Sequence, residues 1–375
     1  SISAIGCAVC GSFDGLVAYR IIGGVGIGIV SIVSPIYISE VSPAKIRGTL
    51  VSLYQLAVTV GFLLAYLANW VIDAGGDLAV AGNLWTNIWN AEMWRGMLGS
   101  ETIPALLFFT IIFFIPESPK WLIVNGKLDK ASAVLSKIYA SEAEVKEEIH
   151  TTQTSLKGET KGAWSDLLKP GILVAVIAGS AIAILGQFMG VNAVLYYGPK
   201  IFADAGFDNP MFSTVLVGVV NCVTTVLAVF IIDRVGRKQL IYWGVSGMIL
   251  CLLAIGIYFA WGTQIGLGNG FMLTFFLAYV FCTAISICAV VFVLLSEMYP
   301  NSVRGRAMSI AGFALWIGTY LIGQLTPILL GWSQAGTFFI FAACCVPYML
   351  IMWKVIPETT GKTLEEIEAY WTNRK

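Results

Sequence analysis

The chain has 375 residues, of which 58% are hydrophobic and 12% are charged, and its formal net charge is zero. A soluble domain carries about 25% charged residues, so this composition excludes an ordinary soluble protein, and the balanced charge offers no basic surface for nucleic acid. The eight cysteines lie in apolar stretches and the single His150 in a charged one, so we expect no metal site, no cofactor and no enzyme activity.

Apolar runs long enough to cross about 30 Å of hydrocarbon recur along the sequence. They predict membrane helices at residues 15–39, 47–72, 94–115, 171–198, 211–232, 239–261, 270–296, 305–331 and 334–356. Residues 1–12 have the composition of the end of a further helix. The segment 117–169 is charged instead, which predicts short amphipathic helices in water.

Lysine and arginine residues are distributed unevenly between the two sides of the predicted membrane region. All but three of the 22 lie in the loops on one side and in the C-terminal tail; the exceptions are Arg20, Arg95 and Lys200. Short cytoplasmic loops carry the excess of basic residues. The distribution therefore predicts a multi-pass protein of the plasma membrane with its C-terminus in the cytoplasm.

Two stretches of the chain repeat each other. Residues 39–48 match residues 296–305, with Glu, Pro, Arg and Gly at the same spacing, and residues 116–118 match residues 357–359. Two homologous halves are therefore joined by the charged segment. An architecture of two parallel halves is typical of transporters.

The repeat also predicts the extent of the parent protein. About 125 residues separate the start of the second half from Glu297, whereas 39 precede Glu40, so we expect a parent with twelve helices whose first two, and most of the third, are missing here. The expected domains are a partial N-terminal bundle at 1–116, a cytoplasmic linker at 117–170, a C-terminal bundle at 171–356 and a cytoplasmic tail at 357–375.

Charged loops on the predicted cytoplasmic side form a second pattern. A short loop with an acid, a glycine and clustered bases can form ion pairs between helices, or it can serve only as a positive-inside anchor. Exposed pairs contribute under about 1 kcal/mol, but the duplicated Glu–Arg spacing favours joint action as a gate. The predicted cytoplasmic gate consists of Glu40, Arg47, Asp233, Arg234, Gly236, Arg237, Glu297 and Arg304.

These motifs resemble the sugar porter family of the major facilitator superfamily over nearly the whole chain. The matching stretches are Arg47-Gly48, 116–121, 190–192 followed by Tyr196-Tyr197, 233–238 and 357–362. Within the family the likeness is greatest to bacterial D-xylose–proton symporters. The resemblance implies an all-α membrane protein with the major facilitator fold: two six-helix bundles and a central sugar site that opens to one side at a time.

Four amide side chains lie within apolar helices: Gln55, Gln187, Asn192 and Asn221. A carboxamide offers donors and an acceptor that suit vicinal hydroxyls, and burying one without partners costs a few kcal/mol. Hydrogen bonding between helices is the alternative role. The resemblance implies sugar binding, because all four fall at positions where the family binds sugar.

Gln187 and Asn192 pose a geometric problem. Five residues apart, they point about 140° apart on an unbroken helix. For both to face one cavity, the helix should loosen near Gly190, as membrane helices of transporters do near the midplane. The resemblance then places Tyr196 and Tyr197 over the outer side of the sugar.

The chain departs from the family at several positions of the implied site. Gly186 stands where the family has a second Gln, and Leu315 where xylose symporters have a Gln. Cys288-Ala289 replaces a Gly-Pro pair and should remove a flexible break, and Phe292 replaces a Trp. Phe292 and Trp316 are expected to offer apolar faces to the C–H groups of the sugar. The site is therefore more apolar, which leaves open a hexose, a pentose or a related polyol.

Arg20 and Glu101 are predicted to lie at similar depth within the membrane. An arginine near the bilayer centre costs at least about 2.5 kcal/mol, so the two side chains are candidates for an ion pair or, for Arg20, for snorkelling to the interface. In the resembling symporters the matching positions couple protons together with an Asp of the first helix. Proton symport is therefore expected, with facilitated diffusion as the alternative.

The expected function is secondary transport of a monosaccharide by alternating access, by a monomer whose partners are a sugar, a coupled proton and the lipid bilayer. A sugar sensor built on a transporter body is a rival, although sensors of this type tend to carry longer cytoplasmic tails. A carrier of an organic anion or a drug is another, although an anion carrier should show more basic residues than Arg20 in its cavity. A truncated, inactive product is a third.

Overall fold

The structure is a computed structural model that describes residues 1–43, 47–76, 92–139, 141–158, 164–300, 303–359 and 364–372. Within these ranges every regular element is helical, as predicted for an all-α protein. The α-helices are α1 (Ile2–Val9), α2 (Phe13–Val41), α3 (Arg47–Gly76), α4 (Met93–Ser100), α5 (Thr102–Ile112), α6 (Pro119–Val124), α7 (Leu128–Leu135), α8 (Glu142–Gly158), α9 (Pro170–Phe188), α10 (Val191–Asp204), α11 (Pro210–Val235), α12 (Arg237–Trp261), α13 (Asn269–Thr283), α14 (Ala289–Met298), α15 (Arg304–Trp332), α16 (Gln334–Lys354) and α17 (Leu364–Thr372).

The described residues contain nine helical segments that are long and apolar enough to cross a membrane, and each corresponds to one of the predicted spans. Three of them are interrupted. The first interruption is at Glu101, between α4 and α5. The second is at Gly190, between α9 and α10, and the third is a π-helical turn at Ala284–Cys288 between α13 and α14.

The π-helical turn corrects one expectation. Replacement of Gly-Pro by Cys288-Ala289 should remove a break from this span, yet the backbone leaves α-helical geometry over the five residues that end at Cys288. A π turn shifts hydrogen bonding from i→i+4 to i→i+5 and needs neither glycine nor proline. The irregularity is therefore present without the residues usually associated with it.

The chain divides into two compact units, Ser1–Glu159 and Thr160–Lys375. In the first unit α1 packs against α2, where Gly6 contacts the ring of Tyr19. The guanidinium of Arg95 donates hydrogen bonds to the carbonyl oxygens of Ala8 and Cys10, which holds the end of α1 against α4.

The charged segment forms the short helices that its composition predicts. Helices α6, α7 and α8 pack together around a small apolar cluster of Leu122, Ile123 and Ala131. Helix α6 begins where the hydroxyl of Ser118 accepts a hydrogen bond from the backbone N–H of Trp121, an N-cap that satisfies one free donor of the first turn. The domain limits inferred from the sequence remain predictions.

In the second unit α9 packs against α15 and α16, and α12 packs against α13 and α16. The last helix, α17, lies against α9 and α14 of the same unit. It is held there by Trp371, which is fully buried and donates a 2.8 Å hydrogen bond from its indole nitrogen to the carbonyl oxygen of Met298. The predicted tail therefore carries a docked helix.

Candidate functional site

Gln187 and Asn192 lie on either side of the break at Gly190. Helix α9 ends at Phe188, Gly190 takes a left-handed conformation with φ of +90°, and α10 begins at the next residue. A left-handed φ costs a non-glycine residue about 1–2 kcal/mol, and a Cβ at Gly190 would also overlap the ring of Phe341. The loosening predicted near Gly190 is confirmed.

The break brings the two amide side chains into contact. The side-chain nitrogen Nδ2 of Asn192 donates a 2.6 Å hydrogen bond to Oε1 of Gln187. On a continuous helix these side chains would point about 140° apart. The arrangement creates a paired amide group within a strongly apolar span.

Thr319 also contacts this pair, although the sequence pattern does not predict it as a site residue. Its hydroxyl lies 3.2 Å from Oε1 of Gln187 and 3.0 Å from the carbonyl oxygen of Leu315. The available signal was its position on α15, one turn after Leu315 and Trp316 and therefore on the same face. A threonine in a helix usually bonds only to the carbonyl four residues earlier, so its spacing alone did not indicate a tertiary contact.

The aromatic candidates of the second unit divide into two groups. Phe292, Trp316 and Tyr196 are each about half exposed. Tyr197 instead donates its hydroxyl hydrogen to the carbonyl oxygen of Gly323 over 2.7 Å, which ties α10 to α15. Its hydroxyl is therefore engaged with the protein in this structure.

The remaining two amide candidates, Asn221 and Gln55, lie on other helices. Asn221 is only 6% exposed on α11, and its backbone carbonyl accepts a hydrogen bond from Thr225. Gln55 belongs to the first unit, where it lies half-buried on α3 with its backbone carbonyl near the hydroxyl of Thr59. Their assignment as sugar ligands remains a prediction.

Arg20 and Glu101 form the predicted ion pair. A nitrogen of the Arg20 guanidinium lies 3.7 Å from Oε2 of Glu101, and both side chains are more than half exposed. Glu101 is the residue that separates α4 from α5. An exposed ion pair with so long a nitrogen–oxygen distance contributes little stability. Its two side chains can therefore separate at a low cost in free energy.

The gate residues predicted in the second half of the chain include Glu297, and their contacts centre on its carboxylate. One carboxylate oxygen of Glu297 lies 3.0 Å from Nη2 of Arg237, and the other accepts a 2.6 Å hydrogen bond from the hydroxyl of Thr359. Gly236, which has φ of +97°, separates α11 from α12 immediately before Arg237. The loop at 233–238, the Glu–Arg loop and the Pro-Glu-Thr exit motif therefore meet at one carboxylate.

The first half contains a matching bond. The hydroxyl of Ser118 donates to the carboxylate of Glu40. Because Ser118 and Glu40 are the repeat counterparts of Thr359 and Glu297, the two halves share this side-chain contact as well as their sequence. The side chains of Arg47, Asp233 and Arg234, also predicted for the gate, lie outside the described part of the chain.

The last predicted gate residue, Arg304, bonds to the backbone. Its Nη2 and Nε atoms lie 3.3 and 3.4 Å from the carbonyl oxygen of Tyr299. The ring of Tyr299 is buried against Gly179 of α9, and this burial raises the pKa of its phenol. Tyr299 is therefore neutral and serves as a buried packing residue at the end of α14.

Comparison with known proteins gives consistent matches. The family model described as Sugar (and other) transporter matches residues 1–371. The chain is 38% identical to the arabinose-proton symporter of Bacillus subtilis (strain 168), covering 99% of this chain and 78% of that protein. It is 40% identical to the D-xylose-proton symporter of Escherichia coli (strain K12), with coverage of 95% and 71%.

Solved structures agree with these matches. The inward open conformation of the xylose transporter XylE from E. coli has a TM-score of 0.81 at 35% identity, over 99% of this chain and 80% of that chain. The proton:xylose symporter XylE bound to 6-bromo-6-deoxy-D-glucose has a TM-score of 0.79 at 36% identity, with the same coverage.

Proposed function

Because this chain belongs to the sugar transporter family, we propose that it is a multi-pass secondary transporter that moves a monosaccharide across the cell membrane by alternating access, in symport with protons. The fold is that of the major facilitator superfamily. The relatives are named as proton symporters of arabinose and xylose. A pentose, a hexose or a related polyol is therefore the substrate class that we propose.

One observation of the structure carries this proposal. The chain breaks a membrane span at Gly190 and thereby brings Gln187 and Asn192 within 2.6 Å of each other. Buried amides are costly in lipid, whereas a paired amide group beside half-exposed aromatic rings suits a sugar, which has both hydroxyls and apolar C–H faces. We propose Gln187 and Asn192 as hydroxyl ligands, with Trp316 and Phe292 packing against the ring.

We assign proton coupling to the pair of Arg20 and Glu101. Protonation of Glu101 would remove its attraction to the guanidinium, so the pair can exist in a closed and an open state. The separation of 3.7 Å and the exposure of both side chains support this role, because such a pair opens at low cost. Coupling then follows if sugar binding and protonation favour the same conformation.

We assign the cluster around Glu297 to the cytoplasmic side. The charge asymmetry of the loops supports this orientation, and it places the docked C-terminal helix inside the cell. The contacts of Glu297 with Arg237 and Thr359 support a gate, because they join three loops that a conformational change would move. We expect the protein to act as a monomer.

Uptake of radiolabelled sugars by the full-length protein in proteoliposomes tests the proposal. We expect uptake of a monosaccharide that an inward proton gradient accelerates, and an increase in KM of about tenfold in the Gln187→Ala variant, since Asn192 then loses its partner. The Gln264→Ala variant, at an exposed loop position, should match the unmodified protein. Binding without uptake would indicate a sensor, and movement of neither pentose, hexose nor polyol would overturn the proposal.

A further inference from the structure

We propose that Thr319 is a positioning residue that, through Gln187, gives the site a fixed pair of one hydrogen-bond donor and one acceptor for two adjacent hydroxyls of the sugar. This inference rests on the proposed function. It adds to it a residue that does not itself contact the sugar and a rule for which hydroxyl analogues the site accepts.

The oxygen of the Gln187 amide is already occupied. Oε1 accepts one hydrogen bond from Nδ2 of Asn192 at 2.6 Å and is 3.2 Å from the hydroxyl of Thr319. An amide oxygen has two lone pairs, so both are directed at groups of the protein. The part of Gln187 left for a ligand is its NH2 group, which donates to no other residue in the described part of the chain.

Asn192 offers a ligand the opposite kind of hydrogen-bonding group, an acceptor. Its NH2 group is directed at Gln187, so its oxygen Oδ1 is the part left for a ligand. Within the described ranges this oxygen accepts no hydrogen bond from the protein. The two amides together therefore offer the NH2 group of Gln187 as a donor and the oxygen of Asn192 as an acceptor, joined by a short bond.

Two residues of α15 hold the Gln187 side chain in its orientation. Gly318 packs against the stem of Gln187 so closely that an added Cβ would lie 3.1 Å from Cγ and 3.2 Å from Cβ. The neighbouring Thr319 shares its single hydroxyl hydrogen between Gln187 and the carbonyl oxygen of Leu315, 3.0 Å away. The contact with Leu315 fixes the rotamer of Thr319, which keeps the shared hydrogen within reach of the Gln187 oxygen.

A donor and an acceptor side by side match two neighbouring hydroxyls. One hydroxyl accepts a hydrogen bond from Gln187, and the other donates one to Asn192. A fluorine in place of the first hydroxyl keeps an acceptor of similar size, whereas a hydrogen removes it. In place of the second hydroxyl, both fluorine and hydrogen remove the donor. The site should therefore distinguish fluoro from deoxy analogues at one carbon and reject both at the next.

The test measures competition against uptake of the best transported sugar by its monodeoxy and monofluoro analogues. At one carbon we expect the deoxy analogue to bind about threefold to tenfold more weakly than the fluoro analogue, and at an adjacent carbon we expect both to be weakened by that factor, the range for loss of one hydrogen bond. The Thr319→Val variant, which keeps the shape and removes the hydroxyl, should lose the fluoro–deoxy difference at the first carbon. Thr319→Ser should restore it.

Three results are decisive. The inference alone falls if the unmodified protein transports sugar and either no carbon shows the fluoro–deoxy difference or Thr319→Val retains it. The proposed function falls, and the inference with it, if the unmodified protein neither binds nor moves a sugar. A uniform loss of uptake in both Thr319→Val and Thr319→Ser would indicate a structural role and would also overturn the inference.

Discussion

Thr359 donates a 2.6 Å hydrogen bond to the carboxylate of Glu297, the same carboxylate that lies 3.0 Å from Arg237. The bond joins the segment after the last membrane helix to the end of α14. Its counterpart in the first half, from Ser118 to Glu40, shows that both copies of the repeat use a hydroxyl to hold the acid of the Glu–Arg loop.

The first prediction concerns this carboxylate. The Glu297→Gln variant should lower thermal stability by about 1–3 kcal/mol, because the Arg237 side chain, only 12% exposed, would lose its charged partner. Thermal unfolding in detergent measures the effect, and Glu142→Gln, at an exposed position of α8, is the control. Equal melting temperatures for both variants would show that the contact does not stabilise this conformation.

The second prediction concerns proton coupling. The Glu101→Gln variant should lose accumulation of sugar driven by a proton gradient and retain exchange of labelled for unlabelled sugar, because it keeps the fold and removes the titrating group. Counterflow and gradient-driven uptake in the same vesicles measure the two activities. The control is Glu92→Gln, which changes the carboxylate that pairs with Arg95 nearby. Full accumulation by Glu101→Gln would refute the assignment.

The third prediction concerns the break at Gly190. Gly190→Ala should reduce uptake strongly, because alanine strains at φ of +90° and its Cβ overlaps Phe341. The double variant Gly190→Ala, Phe341→Ala relieves only the overlap, so it should recover part of the uptake. Gly312→Ala, where a Cβ meets open space, is the control. If Gly190→Ala transports at the rate of this control, the conformation of Gly190 is not required.

The fourth prediction concerns the docked C-terminal helix. Trp371→Ala should lower stability by about 3–5 kcal/mol, because the indole is fully buried and bonds to the carbonyl oxygen of Met298. Tyr370→Ala changes the adjacent ring, which is 38% exposed, and should cost much less. Thermal unfolding of both variants distinguishes burial from general damage to the helix; similar losses would argue against docking through Trp371.

The sequence predicted the membrane helices because each is a continuous apolar run, and hydropathy needs no knowledge of tertiary contacts. It also predicted the break near Gly190, because two amides five residues apart cannot face one cavity on a regular helix. It did not predict Thr319, since a helical threonine ordinarily satisfies its hydroxyl within its own helix. The contact with Gln187 depends on how closely α15 approaches α9.

The π-helical turn could not be predicted for a related reason. The sequence around Cys288 lacks the glycine and proline that mark a break, and a π turn has no comparable signature. The turn packs against α11 and α12. The predicted gate lies between these two cases. Glu297 followed from the repeat and Arg237 from the charged loop, but their meeting with Thr359 required the fold.

The interruption at Gly190 also affects how the protein fits the thickness of the bilayer. The segment Pro170–Asp204 has 35 residues, and as one straight helix it would measure about 52 Å, well beyond the roughly 30 Å of hydrocarbon. Divided at Gly190, it becomes a first piece of 19 residues, about 28 Å long, and a second piece of 14 residues, about 21 Å long. The second piece can then change direction, so that Lys200 and Asp204 reach water without hydrophobic mismatch.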